Sequence, residues 1–211
     1  MQQPQTPLHQ TLQTPTGTII VEGPCPTSSL ERLTPDRGLR AFRPPDKQKN
    51  ALLEISRLPQ GRVTVARCDD LLVGYVTFHP PDTFERWGEG RIPGILELGA
   101  IEVSPAWRSG GVGKALLDVS FRDDWFEDFI VVSTEYYWHW DLQSTGLSLW
   151  HYKDMLEHFF ARVGFERRDT DEPDIASHPC NMLMVRTGRR VTGDLLQSFE
   201  RLRYKDRPFF A

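Results

Sequence analysis

Leu96 to Leu117 reads as an apolar strand, a glycine-rich turn and an amphipathic helix, and no other stretch narrows the possible folds as far. The strand Leu96-Glu97-Leu98-Gly99-Ala100-Ile101-Glu102-Val103 runs into Ser104-Pro105. The turn carries Arg108-Ser109-Gly110-Gly111-Val112-Gly113-Lys114, and the helix continues through Ala115, Leu116 and Leu117. A helix that begins on glycines leaves its first N–H groups without acceptors at the positive end of the helix dipole, which suits a phosphate. Spacing separates the known phosphate motifs. A P-loop needs Gly six residues before its Lys and a hydroxyl after it, where this chain has Arg108 and Ala115. A dinucleotide fingerprint begun at Gly111 and Gly113 needs a third glycine where Leu116 stands. What remains is Arg108-x-x-Gly111-x-Gly113 behind a strand that ends Val-x-Pro.

A chain of 211 residues suits one domain with a tail and can bury a proper core. The formal net charge of −4 and pI near 5.9 argue against a dominant nucleic-acid or anionic-membrane surface. No run reaches the ~18 apolar residues of a membrane-crossing helix, and no basic-then-apolar leader opens the chain. Cys25, Cys68 and Cys180 form no C-x-x-C pair. Reduced thiols in the cytoplasm are the simplest account.

Residues 1–16, rich in Gln, Thr and Pro, read as a flexible tail before a single domain over 17–211. Thr18–Glu22 is β-rich, Lys47–Leu58 is helical by its Leu52, Ile55 and Leu58 spacing, and Arg62–Arg67 with Leu71–Phe78 is a hairpin about Asp69-Asp70. Pro80–Gly94 is a loop carrying Glu85-Arg86-Trp87. Phe129–Thr134 is a central strand, Leu149–Val163 a helix closed by Gly164, Met182–Val185 a late strand and Asp194–Tyr204 a last helix. No internal repeat is visible. Strands around a glycine turn and two helices predict an α/β sandwich on a mixed sheet.

The strand, turn and helix of residues 96–117 resemble the pyrophosphate-binding signature of the GNAT superfamily of acetyl-CoA-dependent N-acetyltransferases. That resemblance implies the GNAT (acyl-CoA N-acyltransferase) fold, acetyl-CoA as co-substrate and no metal. It implies that Arg108, Ser109, Gly110, Gly111, Val112, Gly113 and Lys114 surround the pyrophosphate, with glycines where a Cβ would block its approach. Ala100, Ile101, Glu102 and Val103 would offer a backbone edge to the pantetheine amides. An ordinary strand–turn–helix with glycines for tightness is the alternative.

Acetyl transfer to a protonated amine needs a base, an oxyanion donor and, optionally, an acid for the leaving thiolate. Glu97 stands eleven positions before Arg108, where lysine acetyltransferases of this superfamily often place a strand glutamate as general base. A carboxylate inside the apolar run 95–103 also feels desolvation. A salt-bridged strand carboxylate is the plainer reading of Glu97, and Glu102, on the opposite face, is a second candidate base. Many of these enzymes place a Tyr acid four residues before a closing Gly-Phe; here Gly164-Phe165 is present but that position is Phe160. Tyr136, Tyr137 or Tyr152 is left to serve, with Tyr137 the one named, unless the thiolate leaves unassisted.

Glu135-Tyr136-Tyr137-Trp138-His139-Trp140-Asp141 follows the central strand, where open α/β sheets keep their ligand crevice. Glu135, Tyr136, Trp138 and His139 could cradle a lysine stem and its ammonium; packing under a loop would equally employ them. Together with Ala41-Phe42-Arg43-Pro44-Pro45, Leu58-Pro59-x-Gly61-Arg62, Val73-Gly74-Tyr75-Val76-Thr77, Glu85-Arg86-Trp87, Glu97–Val103, Ser177-His178-Pro179 and Phe199-Glu200-Arg201-Leu202-Arg203, this segment resembles the bacterial acetoin-utilization acetyltransferases. That closer resemblance implies acetylation of a lysine on acetyl-CoA synthetase, switching the synthetase off. The Phe42–Pro45 region and the Glu85-Arg86-Trp87 loop would then be a docking surface or mere loop packing. Two rivals stay open, an acetyltransferase of small amines and a non-catalytic acyl-CoA-binding regulator.

Overall fold

The computed structural model describes residues 7–205. Contacts divide the chain into two compact units, one of residues 1–79 and 98–124 and the other of residues 80–97 and 125–211. One strand supplies residues to both.

The first unit opens with β1 (Leu8–Thr14) and β2 (Gly17–Gly23), antiparallel from Leu8↔Gly23 to Thr14↔Gly17. The expected flexible tail is therefore wrong for residues 8–14, and residues 1–6 lie outside those described. Alternation of side chains buries Ile19 and Val21 of β2 while their neighbours stay at the surface. Helix α1 (Thr27–Arg32) and the two-residue β3 (Thr34–Pro35) lead to α2 (Pro45–Arg57), which starts on proline as its first turn allows. Strands β4 (Arg62–Cys68) and β5 (Leu71–His79) form the expected hairpin, with Asp69 at φ 50° in its turn. β5 is buried from Leu72 to Phe78, as befits a central strand.

β6 (Ile95–Val103) gives residues 98–103 to this unit, and α3 (Val112–Ser120) follows a 3₁₀ turn over Pro105–Gly110. The strand order is β1-β2-β4-β5-β6, with β3 parallel to β5. One core joins α1, α2 and the sheet through Leu30, Leu33, Leu39, Leu52, Val63, Val65, Leu72 and Tyr75.

The second unit takes Ile95–Glu97 of β6, which pair in parallel with Ile130–Val132 of β7 (Ile130–Glu135). Next in chain order come α4 (Leu142–Thr145), α5 (Leu149–Ala161), β8 (Glu166–Arg168), α6 (Pro173–Ala176), β9 (Met182–Thr187) and α7 (Gly193–Arg203). β9 lies antiparallel between β7 and β8, so the order is β6-β7-β9-β8 and the pairing is mixed. Trp87, Ile95, Ile130, Val132, Ile175, Leu183, Val185, Phe199 and Leu202 form its core. Phe160 and Phe165 are buried in ring contact at 5.4 Å, which makes Phe160 a packing residue.

Candidate active site

The glycine turn lies within the first unit. Gly111 caps α3 in the left-handed region at φ +72°, and α3 has no side-chain N-cap. Its first intrahelical bond runs from the Ala115 N–H to the Gly111 carbonyl, leaving the N–H groups of residues 112–114 without intrahelical acceptors. A Cβ on Gly111 would meet nothing within 4 Å, so open space lies beside these donors. The left-handed backbone is a reason of its own for glycine here, beside the clear approach to these amides that the resemblance implies. Gly110 is different, because a Cβ there would fall 2.3 Å from the Thr14 methyl of β1. The Arg108 Nε–H donates to the Val103 carbonyl at 3.0 Å, fastening the turn to the end of β6. Lys114 is exposed, and the side chain of Ser109 lies outside the described part.

On β6, Gly99 is exposed, Ala100, Ile101 and Val103 are half-buried, and Glu102 is buried. Among the described residues the ladder to β7 stops at Glu97. Uncapped helix donors beside open space, together with a half-exposed strand, fit a pyrophosphate and the amide chain behind it. The Glu102 side chain turns away: its carboxylate accepts from the Ala41 N–H at 2.7 Å and the Tyr75 hydroxyl at 2.6 Å. Burial, and then that bonded carboxylate, push the Tyr75 phenol above its usual range.

Glu97 belongs to the second unit. Its carboxyl is half-buried and feels the like charges of Glu85 and Asp82. Desolvation first, then Glu85, push the Glu97 carboxyl up to about 8. Burial among like charges, rather than an opposite charge, accounts for that rise. Sequence reasoning missed the charge of Glu85 near Glu97, because it placed Glu85 in a docking surface or in loop packing, and the signal available was only Asp82-x-x-Glu85 in the loop before the strand.

The aromatic segment splits three ways. Tyr136 and Trp138 stack at 4.8 Å, with His139 edge-on to both. Burial, then the charge of Glu172, push the Tyr136 phenol up to about 12, and Asp174 and Glu85 act in the same sense. Tyr137 joins this cluster to another: its N–H donates to Asn181 Oδ1 at 3.0 Å and its ring lies 4.2 Å from that of His178. Glu135 accepts from Ser133 at 2.8 Å, and burial pushes its carboxyl up to about 7. The Trp140 indole stacks on Tyr152 at 5.1 Å and lies beside Glu135. Tyr136, Trp138 and His139 thus stay together, with the Tyr137 ring edge-on to Trp138 at 5.3 Å, while Glu135 diverges from them.

Arg86 and Trp87 are interior residues, which corrects the docking-surface expectation. Arg86 pairs with Asp171, and Trp87 is 3% exposed against Phe199 at 5.8 Å. Phe42 remains exposed. Among the described residues there is no group of three or more metal-ligating side chains and no helix long and apolar enough to cross a membrane. All three cysteines are free thiols.

Comparisons with known proteins agree with this layout. Residues 30–123 match the acetyltransferase (GNAT) family. The chain is 46% identical over 196 residues to the acetoin utilization protein AcuA of Bacillus licheniformis, covering 93% of each. It is 44% identical over the same length to the AcuA of Bacillus subtilis, again covering 93% of each. The crystal structure of an acetoin utilization protein from Exiguobacterium sibiricum matches with a TM-score of 0.91 at 44% identity, covering 95% of each chain.

Proposed function

Since this chain belongs to the acetyltransferase (GNAT) family, has the GNAT fold and is an acetyl-CoA-dependent N-acetyltransferase, we propose that its acceptor is a lysine side chain of acetyl-CoA synthetase, which it thereby inactivates. The observation that carries the chemistry is the Glu97 carboxyl, held short of full ionisation near neutrality by burial among like charges. The target rests on kinship over nearly the whole chain with proteins named for acetoin utilization. Acetylation would remove the charge and the donors of a lysine that a synthetase needs, which accounts for the loss of activity.

In this reading the N–H groups around Gly111–Lys114 hold the pyrophosphate and the backbone of Ala100–Val103 orients the pantetheine arm. Acetyl-CoA supplies the thioester. Glu97 takes the ammonium proton so that the free amine can attack. A base whose proton affinity lies near the working pH is effective because it is ionised in part and still basic. The stacked Tyr136 and Trp138, with acidic neighbours, suit a cation on an alkyl stem. The same cluster would serve a free polyamine, which is the second reading. Tyr136, Tyr137 or Tyr152 serves as the acid unless the thiolate, a good leaving group, departs unassisted. The chain works in the cytoplasm, without nucleic acid or membrane.

The test is peptide mass spectrometry of purified acetyl-CoA synthetase incubated with this protein and acetyl-CoA, with Glu97→Gln in parallel. One acetyl on a single lysine, formed about 10²–10⁴-fold more slowly by Glu97→Gln and matched by lost synthetase activity, is expected. Turnover of free polyamines with the synthetase untouched would favour the second reading. Acetyl-CoA binding without turnover of either would leave a binding protein.

A further inference from the structure

The β1–β2 hairpin lies ahead of residues 30–123, the stretch that matches the family, yet its tip reaches the glycine turn. The Thr16 hydroxyl donates to the Ala106 carbonyl at 3.0 Å, across 90 residues of sequence. The Thr14 methyl fills the space where a side chain on Gly110 would stand, and the Trp107 ring would touch a Cβ on Gly17 at 3.7 Å. The tip thus meets the 3₁₀ turn over Pro105–Gly110 at both of its ends. It is also tied to itself: Thr14 Oγ1 donates to the Gly17 carbonyl at 2.7 Å and accepts from the Gly17 N–H at 3.2 Å. Its root is firm, since Ile19 and Val21 of β2 are wholly buried and α3 packs across both strands. The hairpin therefore touches both halves of the phosphate cradle, the turn and the helix after it. A 3₁₀ run has poorer hydrogen bonds than an α-helix, and Gly110-Gly111 joins it to α3 through permissive backbone. Convergence of the N–H groups of residues 112–114 is better secured by a support from outside that joint.

We propose that the hairpin braces the cofactor site: Thr14, Thr16 and Gly17 are positioning residues that set the affinity for the pyrophosphate of acetyl-CoA without touching it. This rests on the reading of residues 112–114 as the donors to that pyrophosphate. Where it leaves β6, the turn is fastened by other bonds. The Trp107 N–H donates to the Ser104 carbonyl at 2.8 Å, Ser104 Oγ donates to Asp36 at 2.6 Å, and Arg108 holds the Val103 carbonyl. Those bonds fix where the turn begins. The hairpin fixes how it lies against α3, and so where the free amides aim. A misdirected amide forfeits part of a charge-assisted hydrogen bond to an anion, whereas the β6 backbone that orients the pantetheine stays as it was. The hairpin acts on one end of the cofactor only, and that selectivity separates a brace from general support of the fold.

The experiment is calorimetric titration with acetyl-CoA and with S-acetylpantetheine, which has the same thioester arm and no pyrophosphate. Thr16→Val keeps the volume and deletes the hydroxyl. It should weaken acetyl-CoA about threefold and leave S-acetylpantetheine unchanged, and Thr16→Ser should restore the wild-type ratio. Gly110→Ala aims its methyl at Thr14, pries hairpin and turn apart, and should weaken acetyl-CoA about tenfold with the same selectivity. Gly111→Ala reports on the turn itself. Weaker acetyl-CoA binding in Gly111→Ala, with Thr16→Val and Gly110→Ala both unaltered, would overturn the brace and leave the phosphate site standing. Equal weakening of both ligands by Thr16→Val would overturn it too, because the hairpin would then support the fold as a whole. Wild-type affinity for acetyl-CoA in all three variants would remove the pyrophosphate reading and the brace together. Should Gly110→Ala not fold, the two Thr16 variants decide alone.

Discussion

Two glutamates of one strand, Glu97 and Glu102, meet opposite chemical surroundings. Glu97 lies among like charges, whereas each Glu102 oxygen accepts from a donor, the Ala41 N–H and the Tyr75 hydroxyl. A carboxylate with both oxygens so occupied is a fastener for the 39–43 segment, not a vehicle for a substrate proton. Glu102→Gln puts an NH₂ group where an acceptor is needed, so one buried donor goes unmet. That should lower stability by about 1–3 kcal/mol, read from urea denaturation, while the inflection of the activity profile stays where it was. A moved inflection would transfer the role of base to Glu102. Alternation along β6 made the opposed faces legible in the sequence. The partners were not legible, because Ala41 and Tyr75 lie 61 and 27 residues away.

At the scale of elements, the glycine turn was the most legible part, since strand, turn and helix follow one another with little freedom. What the sequence did not reveal is why each glycine stands there. Gly110 makes room for Thr14 of β1, whereas Gly111 is demanded by its φ of +72° with open space around it. Gly111→Ala therefore meets no steric obstacle and suffers only the strain of a left-handed alanine, about 1–2 kcal/mol. Relief of that strain would turn the first α3 amides aside. The expected result is a folded protein with KM for acetyl-CoA raised about tenfold, measured by steady-state kinetics with kcat little changed. An unaltered KM would separate this turn from the cofactor. β1 escaped the sequence reading for a physical reason: its Leu8 and Leu12 alternate with Gln and Thr and no residue of it is fully buried. Such a strand is specified by its partner, and the seven-residue register with β2 holds it. Arg86 and Trp87 misled in the converse way, because residue types common at interfaces are also those that anchor a loop to its own core.

Over the whole molecule, periodicity disclosed the long helices and the central strands, and the burial of carboxyl groups was the part it could not disclose. That burial has a consequence for folding. Glu97 and Glu135 have folded-state proton affinities raised to about 8 and about 7, so between an unfolded value of 4.5 and those limits the folded chain binds more protons than the unfolded one. Stability must then fall as pH rises through that window. Glu127 acts in the opposite sense. Despite burial, it is held at about 2 by the Arg189 N–H at 2.8 Å and the Arg186 guanidinium at 2.5 Å. Its contribution is complete above 4.5 and is lost only as pH drops toward 2. Stability should therefore peak near pH 5 and decline toward pH 8, less steeply than full burial would give because both raised carboxyls face solvent in part. Urea midpoints of the wild type and of Glu97→Gln/Glu135→Gln at about pH 5, 6.5 and 8 test this. The double variant should lose the downward slope and be the more stable protein at pH 8, as expected where a protein maintains a strained, reactive group at some expense of stability. Parallel slopes in the two proteins would mean that neither carboxyl keeps its proton in the folded state, and the base would have to work as an ordinary, fully ionised glutamate.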